Sequence, residues 1–229
     1  MRYGSPYHIT TIGQHARMLT IVMIVLLFAC KPESRTPQQR QSDDSSSVIN
    51  ASYLRAVDSI ISLAKTGDII TRTGNDFTSQ SLRSLNRRSK LFSHCGLIRI
   101  ENKVPVVYHI LGGEWNPDQK ILRQSIAAFC KPTENKGVGL FRLTADTSMK
   151  AKFLERLLVY QRQQVSFDMA FDLQTDNRLY CAELIAKSIE HADGSTFQFN
   201  RSRIGEKVFI GVDDLFLAPF AKPVFQLFY

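Results

Sequence analysis

Ser93-His94-Cys95-Gly96-Leu97-Ile98-Arg99-Ile100-Glu101-Asn102-Lys103-Val104-Pro105-Val106-Val107-Tyr108-His109-Ile110 is two β-rich runs separated by a polar turn. The runs Cys95 to Ile100 and Val104 to Ile110 around Glu101-Asn102-Lys103 predict a β-hairpin. With Asn102-Lys103 as a two-residue loop, His109 falls opposite Gly96 and His94 opposite Leu111. The two histidines then share a face as diagonal neighbours, roughly 7–8 Å apart at the backbone. A three-residue loop would put them on opposite faces. Cys95, next to His94, points the other way and reads as core.

A second stretch, Leu179-Tyr180-Cys181-Ala182-Glu183-Leu184, starts a helix. Leu184, Ile185 and Ile189 follow Cys181 at helical spacing, so the thiol belongs to the inward stripe while Glu183, Lys187 and Glu190 are expected to point outward. Glu183 and Lys187, four residues apart, suit an ion pair along the helix. In the first turn the thiol meets unpaired backbone N–H groups and the positive end of the helix dipole. Both favour thiolate, and such settings bring a cysteine pKa to ~3.5–7.5. Position alone fits a small buried hydrophobe equally well. The two histidines tip the reading towards a nucleophile, because a cysteine of that kind needs a base held by a second polar group.

The remaining periodicity gives a helix carrying Tyr53, Leu54, Val57, Ile60, Ile61 and Ala64, then Gly67 as a breaker and a short strand from Asp68 to Thr71. Asp68 is expected to cap or turn locally. A second helix is predicted over Asp76 to Arg88, a strand over Val138 to Leu143, and a helix over Ser148 to Gln164 with Phe153, Leu154, Leu157 and Leu158 on one stripe. The Cys181 helix is expected to end near Gly194, and two apolar runs follow, Lys207 to Gly211 and Val224 to Tyr229. Helices mixed with a hairpin-rich sheet point to an α+β domain.

The front end reads differently. Met18 to Ala29 is an unbroken apolar run after a weakly basic segment, short for a bilayer anchor. It has the layout of a signal peptide over 1–29. Leu27-Phe28-Ala29-Cys30 resembles a bacterial lipobox, in which Cys30 would carry lipid; an ordinary signal peptide or an uncleaved anchor is the alternative. Residues 30–47 are polar and rich in Ser, Gln and Pro, the composition of a disordered tether, and the domain is expected over 48–229. Removing residues 1–29 takes the net charge from +8 to +6, because Arg2 and Arg17 are the charged residues there. The basic cluster Arg83, Arg87, Arg88 and Lys90 suits anionic substrates or lipid headgroups, or is simply a solvated face. No aromatics interleave with it, so no nucleic acid partner is expected. With Cys30 lipidated, Cys95, Cys130 and Cys181 remain, an odd number that argues against a disulfide framework. His94, His109 and Cys181 lack a fourth ligand and a zinc spacing, so neither metal nor other cofactor is expected.

Gly67-Asp68-Ile69-Ile70, Ser93-His94-Cys95-Gly96-Leu97-Ile98, Val107-Tyr108-His109 and Leu179-Tyr180-Cys181-Ala182-Glu183-Leu184 together resemble the permuted papain-like cysteine hydrolases, specifically the YiiX/YebB-like branch of the NlpC/P60 superfamily. The resemblance spans about residues 65–195. Ordinary papain-like enzymes place the cysteine first; here His94 precedes Cys181, the order of the permuted branch. The resemblance implies a circularly permuted papain-like fold, an antiparallel sheet packed against helices that include the nucleophile helix. It implies Cys181 as nucleophile, His94 as base and His109 as the group that orients the base. Many members carry Glu at the third position, whereas His109 is closer to lecithin:retinol acyltransferase-like relatives. Two reactions follow from it: amide cleavage in cell-wall peptide through a thioester, with peptidoglycan-type peptide as first expectation, and lipid deacylation or acyl transfer at the membrane. An inert binding lipoprotein is a third reading, against which the full Cys-His-His set argues.

Overall fold

The structure is a computed structural model that describes residues 37–112, 116–192 and 196–228. The expected signal peptide and Cys30 lie outside the described residues. Ser46–Tyr229 is the compact unit that carries the site.

Helix α1 (Pro37–Leu63) comes first. Pro37 suits the first helical position, and no Pro or Gly follows before Leu63 to stop propagation. Gly67, at φ 84°, turns the chain into β1 (Ile69–Gly74), buried along its whole length. Helix α2 (Phe77–Leu85) is capped by Asp76, whose Oδ1 accepts the Ser79 N–H at 2.9 Å. It stops short of Arg88 because Asn86 turns extended and spends its side chain elsewhere, donating to the Phe92 carbonyl at 2.8 Å and accepting the Val212 N–H at 3.1 Å.

Strands β2 (His94–Glu101) and β3 (Val104–Ile110) form the hairpin. Asn102 and Lys103 both take positive φ, 48° and 68°, which matches a two-residue turn to strand twist. The register runs from Glu101↔Val104 to Leu97↔Tyr108, as the two-residue loop requires. After β4 (Ile121–Ser125), α3 (Ile126–Phe129) and β5 (Asn135–Leu143) comes α4 (Thr147–Arg162), capped by Asp146. Helix α5 (Cys181–Glu190), a two-stranded ribbon of β6 (Ser202–Ile204) and β7 (Lys207–Phe209), α6 (Val212–Phe216) and β8 (Ala221–Phe228) complete the chain.

The main sheet is six-stranded and antiparallel, in the order β4-β3-β2-β1-β5-β8. Alternation along the strands feeds two cores. On one face Ile69, Cys95, Leu97, Tyr108 and Phe141 pack with α4 and α5. On the other, Ile70, Ile98, Val107 and Leu140 pack with Ala56, Val57 and Ile60 of α1 and Phe129 of α3. The fold is α+β, with helices on both sides of the sheet.

Helix α5 is buried on every side. Glu183, Lys187 and Glu190, expected to face solvent, are instead internal and paired. Lys187 bridges Glu183 and Asp176, each at 2.9 Å, and donates to the Thr175 carbonyl; Glu190 binds Arg201 at 2.7 Å and accepts the Phe199 N–H. Moment along one helix cannot register the segments after Phe167 and Gln198 that cover its polar face.

Asp68 goes beyond a local cap. Fully buried, it accepts the Lys65 N–H at 2.8 Å and holds Arg142 of β5 through two bonds at 3.0 and 2.7 Å, tying the start of β1 to its neighbour. Asp68→Asn leaves Arg142 without its counter-charge and is expected to cost about 2–4 kcal/mol in urea unfolding; a loss under about 0.5 kcal/mol would place the pair among ordinary surface bridges.

Candidate active site

The β2–β3 ladder ends at Leu97↔Tyr108, so Gly96, Cys95 and His94 run past it without ladder partners on β3. Helix α5 brings Cys181, its first residue, into the same core as Cys95. The helix start that aims the sulfur is fixed by Tyr180, whose N–H donates to Glu183 Oε2 at 3.3 Å and whose hydroxyl accepts the Ile210 N–H at 2.8 Å.

The histidines occupy the opposite face of the sheet from Cys95, beside Phe129. His94 Nε2 and His109 Nδ1 lie 2.8 Å apart, and His109 Nε2 meets Gln124 Oε1 of β4 at 3.0 Å. Gly96 makes this closeness possible: a Cβ there would sit 2.5 Å from Val107 Cγ1 and 3.2 Å from His109 Cβ. With Gln124 presenting Oε1, His109 must carry its proton on Nε2. His109 Nδ1 is then the acceptor, His94 donates from Nε2, and His94 Nδ1 is left as a bare lone pair. Among the described residues no hydrogen bond joins Cys181 to either histidine, whose ring nitrogens face one another and Gln124.

Arg72 of β1 stands opposite His94 in the register. It is buried, donates to the Phe129 carbonyl at 2.9 Å and lies 4.9 Å over the Phe129 ring. Its charge acts on all the site groups. Burial, with Arg72 and His109 adding to it, holds His94 well below the ordinary imidazole range. Burial and Arg72 push His109 down to about 3, against the Gln124 bond, which favours the protonated ring. The Cys95 bond, helped by the three backbone N–H groups, lowers Cys181 in spite of its burial. Burial and the bond to Cys181 push Cys95 well up. The resting site therefore holds two neutral imidazoles and a fixed guanidinium, and the nearby cation for a thiolate is Arg72.

Cys181 also lines a cavity of about 160 Å³. Its wall includes Leu82 and Leu85 of α2, Phe171, Ile204, Phe209 and Val212. The polar residues in the lining are turned to the protein: Asn86 and the Tyr180 hydroxyl as described, Ser93 Oγ to the Gly74 N–H at 2.9 Å, and Lys207 to the Ala170 carbonyl. The space beside the thiol is thus apolar. Arg88 of the basic cluster is partly absorbed too, its N–H donating to Asp213 and its guanidinium to Asp214.

No family model and no curated protein matches the chain. Among solved structures it is similar to metalloprotein yiiX from Escherichia coli O157:H7, a DUF1105 protein, with a TM-score of 0.57 and 17% sequence identity over 73% of this chain and 99% of that one. The fold is YiiX-like. At this identity the likeness concerns the backbone alone. A metal does not fit the two histidines here: three of the four imidazole nitrogens of His94 and His109 are committed to one another and to Gln124. Among the described residues no three His, Cys, Asp or Glu side chains gather as ligands.

Arg72, Gln124 and the second role of Cys95 were outside the sequence reading. Gln124 sits on β4, a strand the apolar pattern does not mark, and Arg72 lies in the polar second half of β1, on the same face as Ile70.

Because the buried imidazoles resist protonation, the unfolded chain binds more protons below about pH 6.5, and stability falls as pH falls. With His109 held at about 3, its share of the loss between pH 7 and pH 4 is roughly 3 kcal/mol. His109→Gln is expected to flatten the pH dependence of urea unfolding by that order; an unchanged slope would contradict a neutral, buried His109.

Proposed function

We propose that the protein is a cysteine acyl hydrolase acting through a thioester on Cys181. The supporting observation is the thiol's setting: the first residue of a buried helix, at its positive end, forming part of a cavity wall. In the proposed reaction the Cys181 sulfur bonds to the substrate carbonyl carbon as its proton passes to His94 Nδ1. The carbon–nitrogen or carbon–oxygen bond then breaks, and the leaving amine or alcohol departs with that proton. Water attacks the thioester, His94 takes a proton from it, and the acid and free thiol are released. Bonds that are open in the resting site often close only around substrate. Arg72 stabilises the thiolate and the developing oxyanion, and Gln124 positions the base through His109.

For the substrate, amide cleavage in a cell-wall peptide and removal of a lipid-type acyl group remain the two chemistries. The cavity favours the second. An apolar space of ~150 Å³ holds about six carbon atoms of aromatic or aliphatic ligand, and a wall whose polar ends are already engaged offers a polar stem peptide no partners. The proposed substrate is an ester or amide with an apolar acyl group. Cys30 would hold the domain at an envelope membrane that supplies such groups. Among the described residues no helix is long and apolar enough to cross a membrane.

Cys181→Ser is expected to lower hydrolysis of medium-chain acyl esters by at least about 10³-fold and to abolish labelling by a thiol-directed acyl probe. Equal labelling of wild type and variant sinks the nucleophile. Release of new amines from peptidoglycan fragments, with acyl esters untouched, would return the substrate to peptide. Gln124→Leu removes the acceptor that orders the imidazoles and is expected to reduce kcat at least about tenfold with KM little changed. Cys30→Ser should move the protein from the membrane to the soluble fraction; retention on the membrane would rule out a lipid anchor at that residue.

A further inference from the structure

The cavity beside Cys181 has two lips. One is α2, which brings Leu82 and Leu85 to the lining and has no fully buried residue along its length. The other is the β6–β7 ribbon, a sheet of its own that supplies Ile204, Lys207 and Phe209. Ile204 and Lys207 pair across the ribbon next to its turn, so they share one face at its tip. Lys207 donates to the Ala170 carbonyl and lies 5.8 Å over the Phe171 ring, which holds the tip against the segment that carries Phe171 into the lining.

Ile204 lines the cavity and is 41% exposed, which puts the opening at the ribbon tip. Phe77, in the first turn of α2, is 82% exposed, and Met169, two residues before Phe171, is exposed as well. Scattered apolar residues on a surface are ordinary; these three stand on the segments that form the mouth of one apolar cavity. The same segments are basic. From Phe77 to Lys90 the chain carries Arg83, Arg87, Arg88 and Lys90 and no acid, and the ribbon adds Arg203 and Lys207 against Glu206. The N–H of Arg88 donates to Asp213, the neighbour of the lining residue Val212, so the turn after α2 is fixed at the cavity wall. Arg87 and Arg203 are exposed, and neither makes an ion pair among the described residues. Exposed apolar side chains among unpaired cations complement an anionic lipid surface. An acidic protein would match the charge but has no use for an opening into an apolar cavity.

We propose that α2 and the tip of the β6–β7 ribbon form a docking surface for an anionic phospholipid bilayer, which seats the cavity mouth on the lipid. Phe77, Ile204 and Met169 enter the interfacial region, and the cations of both lips lie against the lipid phosphates. An acyl group then passes from the bilayer into the cavity without crossing bulk water. The choice of occupant rests on the acyl reading of the cavity given above, whereas the surface itself uses no group of the proposed reaction. A lipid on Cys30 would hold the domain near a membrane; the docking surface decides which side of the domain meets it.

The test is co-sedimentation with vesicles of equal parts phosphatidylglycerol and phosphatidylcholine, and with vesicles of phosphatidylcholine alone. The chain from residue 30 with Cys30→Ser serves, because both cores lie within Ser46–Tyr229 and the apolar run and any lipid are then gone. Binding to the mixed vesicles is expected to be at least about tenfold tighter than to phosphatidylcholine. Phe77→Ser should weaken it about tenfold, and Arg87→Ser with Arg203→Ser roughly 20-fold. All three side chains are exposed, so the variants keep the fold. Arg55→Ser, on α1 and therefore across the sheet, should bind like its parent. Equal binding to the two kinds of vesicle, no loss in the Phe77 or the arginine variant, or an equal loss in Arg55→Ser, the mark of net charge alone, would each overturn the proposal. Binding is read without turnover, so a protein that docks in this pattern and hydrolyses no ester supports the surface and counts against the hydrolase reading alone.

Discussion

Everything at the site depends on the register of the β2–β3 hairpin. Because side chains alternate across a strand, one residue of slip would send His94 and His109 to the helix α5 side and Cys95 to the α3 side. The left-handed pair Asn102-Lys103 prevents that by closing the turn in two residues. The ladder it starts then stops at Leu97↔Tyr108, which leaves Gly96, Cys95 and His94 paired with β1 alone, at the end of the strand where Cys95 joins the core that holds Cys181.

Charge makes a second constraint. Arg72 is a buried guanidinium whose near neighbours are two imidazoles, a ring and a thiol. Burial keeps the histidines neutral, and the fixed cation beside them adds to it, because a charged imidazole in that space is poorly solvated and repelled by Arg72. Neutral histidines in turn allow the directional relay from Gln124 through His109 to His94, which two protonated rings could not form, since both would be donors only. The relay ends on the one unused nitrogen, His94 Nδ1. Arg72 therefore reaches both groups at once: its charge couples to Cys181 and adds to the burial that keeps His94 and His109 unprotonated.

How much of this was legible beforehand varies with the range of the interaction. The hairpin and its shared histidine face follow from local spacing, and β3 was bounded to the residue, at Val104 and Ile110. The helix starting at Cys181 was legible for the same reason, its apolar positions recurring at helical intervals. The outward reading of Glu183, Lys187 and Glu190 failed because their partners, Asp176 and Arg201, come from irregular segments outside the helix. Gln124 was invisible: β4 is short, alternates weakly and becomes a strand only by pairing with β3. Residues 37–47 show the converse case, a composition that buries little yet extends a helix whose anchoring contacts begin further on, at Tyr53 and Ala56.

Cys95 was read correctly as core and yet incompletely, and the difference is instructive. Parity says which face a side chain takes; it says nothing about what another element delivers to that face. Helix α5 delivers Cys181 to the core that Cys95 enters, while its neighbour His94 turns to Phe129 on the other face, so adjacent positions at the end of β2 serve the two sides of the sheet.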